Sequence, residues 1–167
     1  MKESGIEKVN AREIAKKLKC SIQPIYYQFN TMEDLRKELL DYTLDYYIDF
    51  IFKFDSDDPK YKQIGLNYIR FAKEETNLFK FIFMGDYKIK IEDFEYFDRS
   101  YKEVEKILQK QNDLTEEIVK SFHLKMWMFT HGIACLIATN TISFTNEEIS
   151  TLLSDEFISL LNNVMKK

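Results

Sequence analysis

Breakers of regular structure are scarce in this chain, with four Gly and two Pro in 167 residues. Apolar residues recur in long stretches at helical rather than alternating spacing, which predicts an all-α protein. Cysteine is scarcer still. Cys20 and Cys135 are the only two, and no C-x-x-C or other metal spacing joins them, so both read as small apolar fillers in a reducing cytoplasm. Two histidines, His123 and His131, leave nucleophilic and zinc chemistry little to build on. G-x-S-x-G, H-E-x-x-H, Glu-x-x-His and a Gly-rich phosphate loop are all missing, which argues against an enzyme and implies no cofactor. Carboxylates are plentiful, but Glu103, Glu105, Glu116 and Glu117 read as solvated helix faces. The adjacent Glu74 and Glu75 diverge by about 100° around a helix and converge on nothing. No signal peptide opens the chain, and its most apolar window, MWMFTHGIACLIAT, contains His131 and Gly132. That window is shorter than the ~20 residues a bilayer span needs, so a core helix in a cytoplasmic protein is expected, with no membrane partner.

An excess of positive charge is lacking too. The 24 Lys and Arg against 28 Asp and Glu give a net charge of −4, which speaks against unspecific coating of nucleic acid, where affinity grows with the number of phosphate contacts. The distribution is uneven, because residues 1–40 hold eight basic and six acidic side chains, a balance of +2, and the remainder therefore carries −6. A small head that reads one DNA sequence stays compatible with this. What the chain does have is apolar mass, 45% hydrophobic and 15% aromatic, ample for a real core.

In chain order, Asn10 caps a first helix with Glu13 at the answering position. Ile14, Ala15 and Leu18 form its inner stripe, with Arg12, Lys16, Lys17 and Lys19 largely outside. Ser21 offers a second cap and Pro24 fits a first turn, where a missing N–H costs little. A helix is predicted from about Ile22 to Gln28, turning Ile25 and Phe29 inward and Gln23, Pro24, Tyr27 and Gln28 outward. Thr31 and Asp34 box the start of a third helix that continues to about Phe54, with Leu35, Leu39 and Leu40 buried. Asp58 and Pro59 begin the next, to about Glu75. Asn77 caps the short apolar LFKFIFM, closed by Gly85, and residues 86–90 read as a loop. A helix from about Glu92 to Gln111 carries Phe94, Phe97, Tyr101, Val104 and Leu108 on its inner stripe. Thr115 opens a long helix ending near Thr139, and Thr145 with Glu148 boxes the last. The last helix has a broad apolar face of Ile149, Leu152, Leu153, Phe157, Leu160 and Leu161. A head of residues 1–40 and a helical body of residues 41–167 follow from this layout.

The segment REIAKKLKCSIQPIYYQFNTMEDL resembles the helix-turn-helix signature of the TetR/AcrR family of one-component transcriptional regulators. Arg12, Ile14 and Ala15 stand at its R-x-I-A element, Ile25 to Phe29 at its L-Y-x-x-F element, and Glu33, Asp34 and Leu35 at the K-E-x-L start of the connecting helix. The resemblance implies that Arg12, Ser21, Ile22, Gln23, Pro24, Tyr27 and Gln28 face double-stranded DNA, with Tyr27 on a phosphate or a base methyl. Three departures stand out. Lys19 replaces the usual turn Gly and has to take a left-handed conformation at a cost of about 1 kcal/mol. Met32 replaces a Lys and removes one phosphate contact. The family places a full helix ahead of this unit, whereas here only MKESG precedes it. Gly5 reads as that helix's left-handed C-cap, with Lys2 and Glu3 in its last turn. Most of the first helix is thus expected to be missing, through truncation or a misplaced start codon.

The stretch WMFTHGIACLI with the Leu-rich helix after it is similar to the W-x-x-x-H-G pattern of the same family's C-terminal part. There the last two helices pair with their copies as a four-helix bundle. The resemblance implies a homodimer seam of Ile133, Ile137, Ile149, Leu153, Phe157 and Leu160, and hence two heads on a pseudo-palindromic operator. The aromatic load of the body, Tyr68, Phe71, Phe79, Phe83, Phe94, Phe97, Met126 and Trp127, suits a pocket for an apolar or aromatic small-molecule effector, cations among them. Each of these residues has the plainer alternative of being core. His131 shares a face with Trp127 and is a pocket candidate or a hydrogen-bonded core histidine, while His123 is placed at the surface or the pocket rim. The expected function is a ligand-responsive transcriptional regulator, a repressor that its effector releases from DNA. The alternative is a helical adaptor, or a degenerate family member that no longer binds DNA.

Overall fold

A computed structural model describes residues 1–3, 5–85, 100–112 and 114–165. Among these residues every regular element is helical. The expected loop at 86–90 and the expected helical stretch before residue 100, with Phe94 and Phe97, lie outside the described residues.

Local signals set most helix starts. A 3-10 turn at Ile6–Lys8 leads to α1, Ala11–Leu18. The Asn10 side chain accepts the Glu13 amide at 3.0 Å, satisfying one of the donors a helix leaves open at its start. Helix α1 ends at Lys19, which is left-handed at φ 55°, ψ 40° and lets its own N–H reach back to Ala15 and Lys16. Helix α2, Gln23–Gln28, starts without a side-chain cap, because Ile22 rather than Ser21 holds the N-cap position and Pro24 pre-sets the first turn. Helix α3, Met32–Ile51, opens on a complete capping box. Asp34 N–H donates to Thr31 Oγ1 at 3.1 Å, and Thr31 N–H to Asp34 Oδ2 at 2.9 Å.

Helices α4, Lys60–Glu74, and α5, Thr76–Phe83, form a bent pair. Asn77 does not cap α5 but donates to the Lys2 carbonyl at 2.7 Å, tying the N-terminal turn to α5. Lys2 also bonds the Glu75 carboxylate and the Tyr46 hydroxyl. The Glu75 bond, and next the Tyr46 bond, hold its ammonium above the usual 10.5. Gly5, expected as a left-handed cap, instead has φ 76°, ψ 175°, a conformation that only Gly takes readily, while its N–H closes a turn on the Met1 carbonyl at 2.9 Å. Helices α6, Tyr101–Asn112, α7, Glu116–Ala138, and α8, Asn146–Met165, complete the order. Thr145 and Glu148 box α8 as their spacing predicts, at 2.8 and 3.1 Å.

Helix α4 is the hub, packing on α3, α5, α6, α7 and α8. Two amides of α4 fix the end of α3. Asn67 Nδ2 donates to the carbonyls of Ile51 at 3.1 Å and Lys53 at 2.7 Å, groups that the helix end leaves open. Buried Gln63 holds the following loop with both ends of its amide, accepting from Asp55 and Ser56 N–H and donating to the Ser56 and Asp58 carbonyls.

Two apolar clusters result. A small one gathers Ala11, Ala15, Ile25 and Leu35 beneath α1, α2 and the start of α3. The large one runs from Tyr47 to Leu153 and includes the wholly buried Phe71, Phe79, Val104 and Leu108. Several sequence expectations fail at this level. Leu18 is 66% exposed rather than inward, because it lies in the last turn of α1 where no neighbour reaches it. Cys20 is exposed, not a filler. Glu105 is buried, one oxygen 3.5 Å from Lys102 Nζ and the other without a hydrogen-bond partner, so it is no solvated carboxylate.

Candidate functional site

Helices α3, α4, α6, α7 and α8 line a cavity of about 220 Å³. Tyr47 and Ile51 of α3 and Tyr61, Ile64, Gly65 and Tyr68 of α4 form one side of it. Buried Ser100 ahead of α6, Val104 of α6, His123, Met126, Trp127 and Thr130 of α7, and Leu153, Ser154, Phe157 and Ile158 of α8 line it from the other side. Exposed Pro59 and Ile158, with half-buried Lys62 and Ser154, mark its mouth between the start of α4 and the middle of α8. Gly65 lets α8 approach, since a Cβ there would stand 3.3 Å from Leu153 Cδ1.

Two tyrosine–histidine bonds join α4 to α7 beside this space. Tyr61 Oη lies 3.0 Å from His123 Nδ1, and Tyr68 Oη 2.8 Å from His131 Nδ1. His123 is 5% exposed and lines the cavity, so it is neither at the surface nor on a rim. His131 stands one layer back, stacked on Trp127 at 4.7 Å and 11°, with Nε2 3.3 Å from Cys135 Sγ. Burial holds its imidazole below the usual 6.5 and raises the Cys135 thiol above the usual 9.0. Thr130 and Ser154 spend their hydroxyl protons on the carbonyls of Met126 and Ser150.

Of the residues expected to form a pocket, Tyr68, Met126 and Trp127 line the cavity. Phe71 and Phe79 are fully buried core, and half-buried Phe83 packs edge-on to Tyr47 at 5.2 Å and against Tyr68 at 5.4 Å. Phe94 and Phe97 lie outside the described residues. The sequence reading missed Tyr61, His123 and Phe157 as lining residues. Spacing held a signal for the first two, since Tyr61 and Tyr68 share a face of α4 much as His123 and His131 share one of α7. Phe157, expected in a dimer seam, is half-buried and packs within the chain on Phe122 at 5.2 Å and Tyr61 at 5.8 Å. Ile133, Ile149 and Leu153 of that seam are buried in the chain's own core, at 6%, 5% and 3% exposure. Ile137 and Leu160 are half-buried.

A second candidate surface lies on α2. Ser21, Ile22, Gln23, Pro24, Tyr27 and Gln28 are all exposed, as is Arg12 on α1. Tyr27 is 92% exposed, whereas Ile25 on the opposite side is 7% exposed and sits in the small cluster. Among the described residues no group of three or more His, Cys, Asp or Glu side chains gathers as a metal site. No helix among them is long and apolar enough to cross a membrane. In comparisons with known proteins, the chain matches no family model and no curated protein.

Proposed function

We propose that this chain is a ligand-responsive transcriptional regulator of the TetR/AcrR type. On this reading α1, the Lys19 turn and α2 form a helix-turn-helix head on an operator, and the body's cavity takes the effector. The observation that carries the reading is Tyr27, an aromatic ring 92% exposed on the outer face of a six-residue helix whose other face is anchored by Ile25. Nothing in the fold requires a ring there, whereas a phosphate or base edge gives it a partner.

The long helix α3 supports the coupling. Its Leu35 belongs to the small cluster under α2, and its Tyr47 and Ile51 line the cavity. Twelve residues of one helix, about 18 Å, join the two. A ligand that favours one setting of α3 thereby shifts the position of α2, provided it binds that setting better than the DNA-bound one. Pairing of two copies through α7 and α8 falls to residues the chain leaves uncovered. Met128 and Gly132 of α7 and Leu152 of α8 are exposed, whereas Ile133, Ile149 and Leu153 are already spent on the core.

One observation favours a second reading, a helical adaptor. Leu18, Ile22 and Tyr26, at 66%, 46% and 47% exposure, add apolar surface next to Tyr27. A gel-shift on DNA flanking the protein's own gene decides between them. A salt-sensitive complex supports the regulator, and no complex at low salt supports the adaptor.

A further inference from the structure

The outer face of α2 is uncharged, which limits the bases it can select, an inference that rests on reading α2 as the helix that enters DNA. Between Lys19 and Glu33 the sequence holds no Asp, Glu, Lys or Arg. All of α2 lies inside that run. At about 100° per residue, Gln23, Pro24, Tyr27 and Gln28 share an outer arc of about 140°. All four are exposed, while Ile25 and Phe29 on the opposite side pack in the small cluster.

Basic side chains stand beside this face rather than on it. Arg12, Lys16 and Lys17 on α1 and Lys19 in the turn are all exposed. In helix-turn-helix docking the first helix crosses the sugar-phosphate backbone, where a positive charge neutralises phosphate and reads no sequence. Guanine is most often read by Arg or Lys, whose donors meet O6 and N7 in the major groove. Helix α2 has neither residue. It has two primary amides, at Gln23 and Gln28, each with a donor and an acceptor that match N7 and N6–H of adenine. Between them the rings of Pro24 and Tyr27 are apolar partners for the C5 methyl of thymine.

We propose that α2 selects A·T base pairs through the major groove, with Gln23 and Gln28 on adenine and Pro24 and Tyr27 on thymine methyls, so that the DNA beneath the head is A·T-rich. Affinity then comes from the phosphate contacts of α1 and the turn, and selectivity from α2.

The full chain is incubated at low salt with duplexes of random sequence, and the retained duplexes are sequenced. The expected result is a shared run of about three or four A·T pairs, in which a G·C pair weakens binding about tenfold. A narrow minor groove also favours A·T pairs, so two base analogues separate the grooves. 7-Deazaadenine lacks the N7 acceptor and uracil lacks the methyl, both changes on the major-groove side. Placed in the shared run, each is expected to weaken binding of the unaltered protein by about three- to tenfold. Gln23→Ala and Gln28→Ala in one chain remove the response to 7-deazaadenine and keep the response to uracil. A shared run rich in G·C pairs, an A·T-rich run indifferent to either analogue, or a double variant that still responds to 7-deazaadenine overturns the proposal and leaves the regulator reading standing. A pool from which nothing is retained overturns the regulator reading, and the proposal with it.

Discussion

Tyr68 and His131, 63 positions apart in sequence, are joined by a 2.8 Å bond between the phenol oxygen and Nδ1. Tyr61 and His123, 62 positions apart, repeat the arrangement at 3.0 Å. Seven residues separate the tyrosines and eight the histidines, about 10.5 and 12 Å of helix rise. Helices α4 and α7 therefore run parallel and are bolted at two levels, and both histidines of the chain are used in doing so.

The His131 bolt makes stability depend on pH in one direction. Burial lowers its pKa in the folded protein below the ordinary 6.5, so the unfolded chain binds the proton more readily. The contribution of this group to stability is constant above the unfolded value. It diminishes as pH falls below 6.5 and levels off once the folded value is passed. Urea midpoints taken between about pH 8 and about pH 5 are expected to decline on the acidic side. His131→Phe, which keeps a ring against Trp127, is expected to flatten that part of the decline.

Tyr27→Ala is expected to abolish operator binding and to leave folding intact. A side chain 92% exposed contributes little to the core, so the change in unfolding free energy stays within about 0.5 kcal/mol. Gel-shift and urea melts on the same preparation check both halves. An unchanged shift would show that α2 is not the reading helix.

Asn67→Ala removes both bonds that close the end of α3, to Ile51 and Lys53. Two carbonyls then lose their partner near the core, at an expected cost of about 2–4 kcal/mol. Chemical denaturation reads the loss. Under the proposed coupling the same variant also weakens the response of DNA binding to a cavity ligand, because the lower end of α3 is no longer held to α4.

Gly132 sits inside α7 with no atom within 4 Å of where a Cβ would stand. Gly132→Ala is expected to stabilise the isolated chain by about 0.5–1 kcal/mol, through helix propensity alone. Sedimentation of the same variant tests the proposed pairing of α7 and α8, since a second copy packed closely on this face would be displaced by the added methyl.

Sequence alone determined the helical class and most helix starts, because those signals act within four residues. Asn10, Thr31 and Thr145 bond the amides three positions on, and Lys19 turns left-handed where α1 stops. The periodicity of α6 likewise named Tyr101, Val104 and Leu108 as buried, and they are. Only tertiary structure decided which apolar face meets which. An inward stripe is a property of one helix, but a cavity is a property of the helices around it. Phe71 and Phe79 thus became solid core, whereas Tyr61, His123 and Phe157 came to the cavity wall. For the same reason Ile133, Ile149 and Leu153, which pattern could assign equally to a core or to a second copy, were claimed by the chain itself. Leu18 was left to solvent because α1 ends before anything can cover it.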